Sequence, residues 1–320
     1  MGVEGHITPE MLKSRQSLPL QAKLVMTRRR IREWHDHFDG NVYVSFSGGK
    51  DSTVLREIVK EMYPDVPAVF CDTGLEYPEV RELAVRKSDV VLRPKMTFKK
   101  VIEKHGYPFP SKEQAMYIRQ YRHTRSEKLR NLRWNGNKFG GFKISRKWRY
   151  LADAPFEVSE KCCDVMKKEP FHRYERQTGR KPFMATMAEE SMLRFQEYIQ
   201  HGCNAFDIKR QKSTPMGFWT DQDVYQYLAE TGIEYAECYG EIVRTEDGKY
   251  ATTGVDRTGC MFCMFGIERE REPNRFQRMQ RNYPKQYEYC MEKLGLRDVL
   301  GYCGIPYKYQ ETLFDCGLDA

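Results

Sequence analysis

A short β-rich run that ends in a glycine turn and continues as a helix limits how this chain can fold more than any other feature. Residues 41–46 are rich in Val, Tyr and Phe, residues 47–52 read Ser-Gly-Gly-Lys-Asp-Ser, and residues 53–59 have helical spacing. A second run of this kind, residues 66–71, ends at a further turn, residues 72–74. Strands that alternate with helices predict an α/β fold with a parallel sheet and right-handed crossovers.

Other segments extend the same pattern. We expect a helix at residues 78–87, a third strand at residues 90–92 and a further strand at residues 181–187. Thr220, with Asp223 three residues later, is an N-cap signal for another helix.

Three regions are predicted on this basis. Residues 1–38 form an N-terminal helical extension, residues 39–235 form the domain that contains the sheet, and residues 236–320 form a helical, cysteine-rich C-terminal part. Residues 112–150 interrupt the domain as a basic insertion. No apolar run reaches the roughly 18–20 residues that span a bilayer, and the first residues lack the apolar stretch of a signal peptide. We therefore expect a cytoplasmic protein without a membrane partner.

Residues 47–52 have the properties of a phosphate-binding loop. Glycines allow close approach of the backbone, and the N-terminus of the following helix supplies N–H groups and a positive dipole end. Lys50 and the hydroxyls of Ser47 and Ser52 add further donors. The loop differs from the Walker loop, which requires Gly-x-x-x-x-Gly-Lys-Ser/Thr. The alternative interpretation is a glycine turn with an incidental lysine.

The positive charge of the chain is concentrated in residues 112–150. The chain has 53 Lys and Arg against 45 Asp and Glu, a net charge of +8. Residues 112–150 hold 12 of the basic residues and 2 acidic ones, so the remainder is slightly acidic. Basic side chains interleaved with Tyr and Trp suit a polyanion with bases that can stack, and the alternative is a solvated basic surface helix and hairpin. The candidate contact residues are Arg119, Arg122, Arg125, Arg130, Arg133 and Trp134.

The chain contains ten cysteines, and in the cytosol we do not expect them to form disulfides. Two pairs stand out, Cys162-Cys163 and Cys260-x-x-Cys263. Four thiolates suit a tetrahedral zinc ion or a 4Fe–4S cluster, and the third alternative is unmetallated thiols. Adjacent cysteines are awkward for zinc because neighbouring side chains tend to diverge. The cysteines predicted to be packing residues are Cys71, Cys203, Cys238, Cys290 and Cys303.

Several segments together resemble a known superfamily. The sequence of residues 47–52 resembles the pyrophosphate loop of the adenine-nucleotide α-hydrolase superfamily, which includes ATP pyrophosphatases, tRNA thiolation enzymes and sulfonucleotide reductases. Residues 69–79 are similar to the Asp-Thr-Gly-x-x-Phe-Pro-Glu signature of phosphoadenosine phosphosulfate (PAPS) reductases, with Tyr77 in the place of Phe. Residues 218–224 are similar to the Trp-Thr-x-x-Asp-Val helix start of that family.

A further block, residues 183–194, resembles the Gly-x-Arg-x-x-Glu-Ser-x-x-Arg block of the same family. Ala185 and Met187 stand in place of the Gly and the Arg, which puts one anion contact in doubt. The residues that match are Glu190, Ser191 and Arg194.

The resemblance implies a Rossmann-like nucleotide domain and roles for individual residues. Ser47, Gly48, Gly49 and Ser52 would cradle phosphate, Lys50 would neutralise it, and Asp51 would help to place Mg²⁺. The remaining residues expected to line the nucleotide are Asp72, Thr73, Gly74, Glu190, Ser191 and Arg194. The order Cys-Cys…Cys-x-x-Cys resembles the cluster-binding set of adenosine phosphosulfate reductases, which favours a 4Fe–4S cluster at Cys162, Cys163, Cys260 and Cys263.

Three functions follow from these patterns. The first is an ATP-using sulfur-transfer enzyme that adenylates an acceptor, releases pyrophosphate and resembles the ATPases of DNA phosphorothioation and tRNA thiolation, with a cysteine desulfurase as partner. The second is a PAPS or adenosine phosphosulfate reductase that transfers sulfite to Cys316 and uses thioredoxin. The third is a non-catalytic module that binds nucleotide or nucleic acid.

Cys316 bears on the choice between the first two. Residues 315–319, Asp-Cys-Gly-Leu-Asp, are similar to the Glu-Cys-Gly-Leu/Ile-His tail of the reductases. Two flanking carboxylates oppose formation of a thiolate, so a buried or frayed C-terminal thiol is the alternative.

Overall fold

The computed structural model describes residues 7–309. In chain order its α-helices are α1 (Pro9–Gln16), α2 (Leu20–His37), α3 (Lys50–Met62), α4 (Pro78–Lys87), α5 (Phe98–His105), α6 (Lys112–His123), α7 (Glu127–Asn135), α8 (Glu169–Thr178), α9 (Met192–His201), α10 (Asp221–Thr231), α11 (Arg275–Asn282), α12 (Pro284–Glu288) and α13 (Leu296–Tyr302). Its strands are β1 (Val42–Phe46), β2 (Ala68–Cys71), β3 (Val90–Leu92), β4 (Lys181–Phe183), β5 (Asn204–Ala205), β6 (Lys212–Ser213), β7 (Ile242–Arg244) and β8 (Tyr250–Thr252).

The chain groups into two compact units. The described part of the first unit is residues 7–94 and 169–259, and that of the second is residues 95–168 and 260–309. The predicted division of the chain at residues 38 and 235 stays a prediction.

The first unit contains a six-stranded sheet in the order β3-β2-β1-β4-β6-β5. All neighbours in this sheet are parallel except β5 and β6, which are antiparallel. The predicted α/β fold with a parallel sheet is therefore confirmed. The strand predicted at residues 181–187 ends at Phe183, because the chain then turns into a short 3-10 helix, Ala188–Glu190. The hairpin of β7 and β8 was not predicted from the sequence.

The buried interior of the first unit fixes the N-terminus of α10. Asp223 accepts the N–H of Thr220 at 2.6 Å, which caps the helix, and also pairs with the buried Nζ of Lys23 at 2.6 Å. The ring N–H of Trp219 donates to the hydroxyl of Thr27 at 2.8 Å. These bonds tie α10 to α2. They thereby fix the start of α10, whose first residue is Asp221.

The described part of the second unit is built mainly from helices. It contains α5, α6 and α7 from the middle of the chain and α11, α12 and α13 from its later part. A π-helical stretch, Asp164–Lys168, follows the first cysteine pair directly. In residues 7–309 no helix is both long and apolar enough to cross a membrane. The expected cytoplasmic location stays a prediction.

Candidate functional site

Three segments that carry predicted nucleotide residues leave the sheet at one edge. β1 lies between β2 and β4 and runs parallel to both, with Phe46 paired to Phe70 and Val44 to Phe183. The chain passes from β1 to β2 and β3 on one side and later returns to β4 on the other, so the strand order reverses beside β1. Ligands of open α/β sheets bind beyond the carboxyl ends of the strands at such a reversal. Residues 47–52 follow β1 at this point.

A compact hydrogen-bonded turn follows β1. The hydroxyl oxygen of Ser52 accepts the N–H of Ser47 at 3.1 Å and donates to the carbonyl of Gly49 at 2.9 Å. Gly48 has a φ of +75°, and a Cβ there would lie 2.6 Å from the carbonyl oxygen of Val80. Glycine alone fits this position without strain. Because α3 begins at Lys50, directly after residues 47–49, its N-terminal N–H groups and positive dipole end lie beside these residues.

The side chain of Lys50 is buried and held by two carboxylates. Its Nζ lies 2.8 Å from Oδ1 of Asp51 and 2.5 Å from Oδ1 of Asp221. Nζ also lies 5.1 Å from the ring centroid of Tyr225. Burial by itself lowers the pKa of Lys50, but the two carboxylates outweigh it and raise that pKa above its usual range. Lys50 is therefore a permanent cation at the turn.

Carboxylates gather around this lysine. The side chains of Asp51 and Asp221 are 27% and 41% exposed, so both can meet a hydrated cation. The N–H of Asp221 also donates to Oε1 of Glu189. Burial raises the pKa of Glu189, and the negative charges of Asp221 and Asp223 raise it further. The turn therefore combines one fixed cation with several acidic side chains.

The hydroxyl of Tyr239 reaches the same turn from a distant part of the chain. It accepts the N–H of Lys50 at 3.1 Å and lies 2.6 Å from the hydroxyl of Thr258. A Cβ at Gly49 would come within 3.3 Å of both hydroxyl oxygens. Burial raises the pKa of Tyr239 to about 12, so its hydroxyl stays protonated at neutral pH. These two residues close one side of the turn.

The turn after β2 is built around Asp72 and Thr73. Arg81 donates two hydrogen bonds of 2.8 Å to the carboxylate of Asp72. These bonds lower the pKa of Asp72 against the opposing effect of burial. Thr73 donates to the carboxylate of Glu76 at 2.6 Å. Gly74 has a φ of +70° and a Cβ there would meet no atom within 4 Å, so the turn is open on that side.

The segment after β4 places one carboxylate between two guanidinium groups. Glu190 pairs with Arg194, and its Oε2 accepts a hydrogen bond of 2.8 Å from Arg257. Ser191 caps α9 by accepting the N–H of Arg194 at 3.3 Å. Burial and the charge of Arg257 lower the pKa of Arg194. Two cations against one carboxylate leave this segment suited to an anion.

Met187 stands where the family block carries an arginine. Its side chain is packed in the core and is 1% exposed, and its N–H donates to Oε1 of Glu190 at 2.8 Å. Position 187 therefore supplies no cation. Arg257, 70 positions later in the sequence, supplies a guanidinium to Glu190 instead.

The four predicted cysteine ligands all belong to the second unit. Cys162 is buried, and Cys163, Cys260 and Cys263 are half-buried. Burial raises the pKa of Cys162, and the other three thiols raise it further, so the four lie close enough to interact. Burial also raises the pKa of Cys263, against the charge of Arg275. The structure therefore groups the two pairs, which are far apart in sequence.

The four thiols are a donor set that suits a zinc ion or a 4Fe–4S cluster. Within residues 7–309, no three His, Cys, Asp or Glu side chains are arranged to hold one metal ion. A tetrahedral zinc site needs sulfurs that converge to about 2.3 Å from one point. A 4Fe–4S cluster binds each thiolate at a different iron, so its thiolates stand further apart. The positive charges of Lys167 and Arg275 act on Cys162 and Cys263, which suits an anionic metal–thiolate site of either kind.

Part of the predicted nucleic-acid contact set is engaged within the chain. Arg119 donates to both carboxylate oxygens of Glu160, at 3.0 and 2.6 Å, and Arg122 donates to the carbonyl of Phe156 at 2.7 Å. Arg125 and Arg130 are exposed. The first two arginines therefore join α6 to the segment before the cysteine pair.

Two further members of that set are packing residues. Arg133 is 9% exposed and lies 4.2 Å from the ring centroid of Tyr117. Trp134 stacks on Tyr121 at a centroid distance of 5.0 Å, with the guanidinium of Arg149 at 4.5 Å. The side chains of Arg133 and Trp134 are therefore both engaged in contacts with other residues of the same segment.

Several residues of the site were missed by the sequence analysis. Asp221 lies inside the segment that resembles the Trp-Thr-x-x-Asp-Val start, which is the signal that could have identified it. Tyr239, Thr258 and Arg257 carry no local signal, because only the fold brings them to the turn and to Glu190. Cys316 lies outside the described residues.

Comparison with known proteins identifies the family. A 22% identical relative, the phosphoadenosine 5'-phosphosulfate reductase of Escherichia coli, aligns over 241 residues, 73% of this chain and 81% of the relative. The protein of the same name from Shigella flexneri is 22% identical over 208 residues, 64% of this chain and 68% of its own length. These relatives are enzymes.

Among solved structures, the phosphoadenylyl-sulfate (PAPS) reductase from Candida auris in a phosphate complex is 15% identical. The alignment covers 72% of the present chain and 90% of the Candida auris chain, with a TM-score of 0.39. The model of the phosphoadenosine phosphosulfate reductase domain matches residues 41–264, well over half of the chain. The chain therefore belongs to the phosphoadenosine phosphosulfate reductase domain family.

Proposed function

We propose that the chain binds the phosphates of ATP at residues 47–52 and adenylates an acceptor with release of pyrophosphate. The observation that carries the proposal is the position of the Lys50 Nζ between the carboxylates of Asp51 and Asp221 at the N-terminus of α3. A cation, helix N–H groups and partly exposed carboxylates together suit a triphosphate that carries Mg²⁺.

The carboxylates favour a metal-bound nucleotide. Mg²⁺ keeps several waters and is usually bound by one or two carboxylates together with substrate phosphates. Asp51 and Asp221 can supply those oxygens without forming a complete metal site of their own. A sulfonucleotide without a metal would meet the same carboxylates as repulsive charges. The buried Met187 also removes one cation that the family block offers to such an anion.

The proposed reaction uses Lys50 as a charge and not as a base. An acceptor oxygen attacks the α-phosphorus, the bond to the pyrophosphate oxygen breaks, and the acceptor proton passes to solvent. Lys50 stays protonated because its pKa is raised, so it neutralises charge on the phosphates as pyrophosphate leaves. Hydrosulfide, to which a thiol reductant converts the persulfide of the sulfur donor, then attacks the adenylated atom. The new bond to sulfur forms, the bond to the AMP oxygen breaks, and AMP leaves with that oxygen. Arg194 and Arg257, which both pair with Glu190, would hold a further anionic group of the substrates.

The cysteine cluster has a separate role in this proposal. Cys162, Cys163, Cys260 and Cys263 would hold a 4Fe–4S cluster, which would supply redox or sulfur-relay chemistry when bound. A cysteine desulfurase would be the source of the sulfur, and a nucleic acid, DNA or tRNA, would be the acceptor.

A second candidate function is reduction of PAPS or adenosine phosphosulfate. It is favoured by the names of the relatives in Escherichia coli and Shigella flexneri. In this reaction the thiolate of Cys316 would attack the sulfur of the sulfonucleotide and expel the nucleotide phosphate. The two thiols of thioredoxin would then reduce the Cys316 thiosulfonate and release sulfite.

Calorimetric titration of the full chain with ATP and with PAPS, each in Mg²⁺ and in EDTA, separates the two candidates. We expect ATP to bind in Mg²⁺ and to bind far more weakly in EDTA. Lys50→Met should weaken ATP binding by about tenfold or more, the loss of a charged contact. Lys13→Met, an exposed lysine on α1, is the matched control and should leave affinity unchanged.

Turnover assays complete the comparison. We expect pyrophosphate from ATP in the presence of nucleic acid, and no sulfite from PAPS in the presence of thioredoxin. Sulfite formation that Cys316→Ser abolishes, together with no pyrophosphate from ATP, would overturn the first proposal in favour of the second. Asp221→Asn provides a second test if Lys50→Met does not fold.

A further inference from the structure

We propose that residues 136–147, called here the aromatic loop, bind single-stranded nucleic acid by stacking unpaired bases on Phe139 and Phe142. Phe139 and Phe142 are 82% and 57% exposed, and Phe139 is the most exposed of the large apolar residues within residues 7–309. That this nucleic acid is the acceptor rests on the proposed function. The inference adds that the acceptor is single-stranded. Binding itself can be measured independently of ATP.

The aromatic loop is an ordered turn and not a loose connection. The N–H of Asn137 donates to the carbonyl of Gly141 at 2.9 Å. The side-chain oxygen of Asn137 accepts the N–H groups of Phe139 at 3.1 Å and Gly141 at 2.8 Å. Gly140 closes the turn by donating to the carbonyl of Asn137 at 2.8 Å. The side chain at the tip, Phe139, is therefore presented to solvent by a defined backbone.

Phe142 is held in a backbone conformation that a bulky residue rarely adopts. Its φ is +63°, in the left-handed region, which is unfavourable for a non-glycine residue. The carbonyl of Phe142 accepts a hydrogen bond of 2.8 Å from Arg133. Arg133 is itself fixed, since it is nearly buried and donates to Gln120 at 2.7 Å. The structure thus maintains strain at a residue whose ring remains exposed.

The charge around the rings selects a polyanion. The aromatic loop contains Lys138, Lys143, Arg146 and Lys147 and has no acidic residue. The Nζ of Lys138 lies 4.9 Å from the ring centroid of Phe139. One carboxylate from outside the loop, Glu268, lies 3.9 Å from the Nζ of Lys147.

Exposed aromatic rings flanked by cations match the way single strands are bound without sequence preference. The phosphates meet the positive charge, and the unpaired bases stack on the rings. A base-paired duplex keeps its bases stacked on one another and cannot offer them to Phe139. Trp134 stacks on Tyr121 and Trp148 is buried, whereas Phe139 and Phe142 are exposed.

Fluorescence anisotropy with a labelled oligothymidylate of roughly 15 nucleotides tests the proposal on the full chain. We expect Phe139→Ala and Phe142→Ala each to raise the Kd by about fivefold or more, the loss of one base–ring stack. Phe139→Tyr keeps a ring and should bind as the parent chain does. Lys138→Ala and Arg146→Ala should weaken binding and reduce its dependence on salt. An oligouridylate in place of the oligothymidylate shows whether RNA is bound as well as DNA.

Several results would overturn the proposal. These are a parent chain that does not bind the oligothymidylate, alanine variants that bind it unchanged, or a duplex that binds as tightly as the single strand. Sedimentation velocity tests whether the aromatic loop binds a second copy of the chain instead. A parent dimer that becomes a monomer in Phe139→Ala would show that it does. ATP affinity measured on the same variants should be unchanged. If the parent chain binds the oligonucleotide but not ATP, the proposed function is wrong and the proposal for the aromatic loop stands.

Discussion

The phenolic oxygen of Tyr239 lies 3.1 Å from the backbone nitrogen of Lys50 and accepts its N–H. Lys50 is the first residue of α3, and the first N–H groups of a helix have no partner within the helix. These are the groups that bind phosphate at helix N-termini. Tyr239 therefore occupies a donor that a phosphate oxygen would otherwise use.

Tyr239→Phe should destabilise the free protein and strengthen nucleotide binding. Without the hydroxyl, the N–H of Lys50 has no acceptor in the empty turn, which costs about 1 kcal/mol of unfolding free energy. The same change removes the competitor of the phosphate, so we expect the Kd for ATP to fall by about fivefold. Urea unfolding and calorimetric titration measure the two effects.

Tyr235→Phe is the matched control for this prediction. The hydroxyl of Tyr235 donates to the carbonyl of Gly240 at 3.0 Å and is not bonded to the turn. It should lower stability without changing nucleotide affinity. A weaker affinity in Tyr239→Phe would show instead that the hydroxyl donates to the bound nucleotide.

Gly48→Ala should abolish the phosphate turn, whereas Gly74→Ala should be mild. Both glycines have positive φ, +75° and +70°. Both variants therefore place an alanine in the left-handed region, which costs about 1–2 kcal/mol. Only at Gly48 would the new Cβ meet the backbone, 2.6 Å from the carbonyl of Val80. We expect a larger loss of unfolding free energy in Gly48→Ala, and loss of ATP binding. Equal losses in the two variants would contradict the close packing of the turn.

Arg81→Gln should lower stability at neutral pH and flatten its loss in acid. The hydrogen bonds from Arg81 lower the pKa of Asp72, so the carboxylate stabilises the folded state above its unfolded pKa of about 3.9. This contribution is lost as pH falls through the lower folded pKa. Without Arg81 the folded pKa rises, and part of the stability near neutral pH disappears together with its acid dependence.

The measurement is the unfolding free energy between about pH 3 and pH 7. Arg86→Gln is the control, since Arg86 is an exposed arginine on the same helix that pairs with Glu234. An acid limb of Arg81→Gln that coincides with that of the parent chain would argue against the Asp72 pair.

Removal of one cysteine from each pair should eliminate any cluster. Anaerobically prepared protein should be brown and contain iron and sulfide in equal amounts. Cys162→Ala and Cys263→Ala should lose the colour and the iron, because each removes a thiolate ligand. Cys303→Ala, a half-buried cysteine outside the group, should keep both. A colourless parent chain with bound zinc would refute the prediction.

The local parts of the site could be predicted from sequence. The turn at residues 47–52 depends on a strand, two glycines and a helix start, all of which are contiguous. Tyr239 and Arg257 could not be predicted, because each reaches its partner, Lys50 or Glu190, only after the chain has folded. Neither residue type nor spacing identifies such a contact.

The basic segment shows a different limit. The number of basic residues predicts a surface that binds a polyanion, but it does not show which of these side chains are paired within the chain. Arg119 is held by Glu160 and Arg133 lies under the backbone near Phe142. Phe139 and Phe142 are the most exposed aromatic residues of the segment, and the composition gave no reason to single them out.

The pairing of β1 with β4 has a consequence for folding kinetics. Val42 pairs with Lys181, so the chain between the two strands must be closed into a long loop before the pairing can form. Such a contact carries a loop-closure cost and tends to form late. A ligand that touches the segments after both strands binds only once they have met. Its main effect should then be on the unfolding rate, so that the bound protein opens more slowly while the free chain folds no faster.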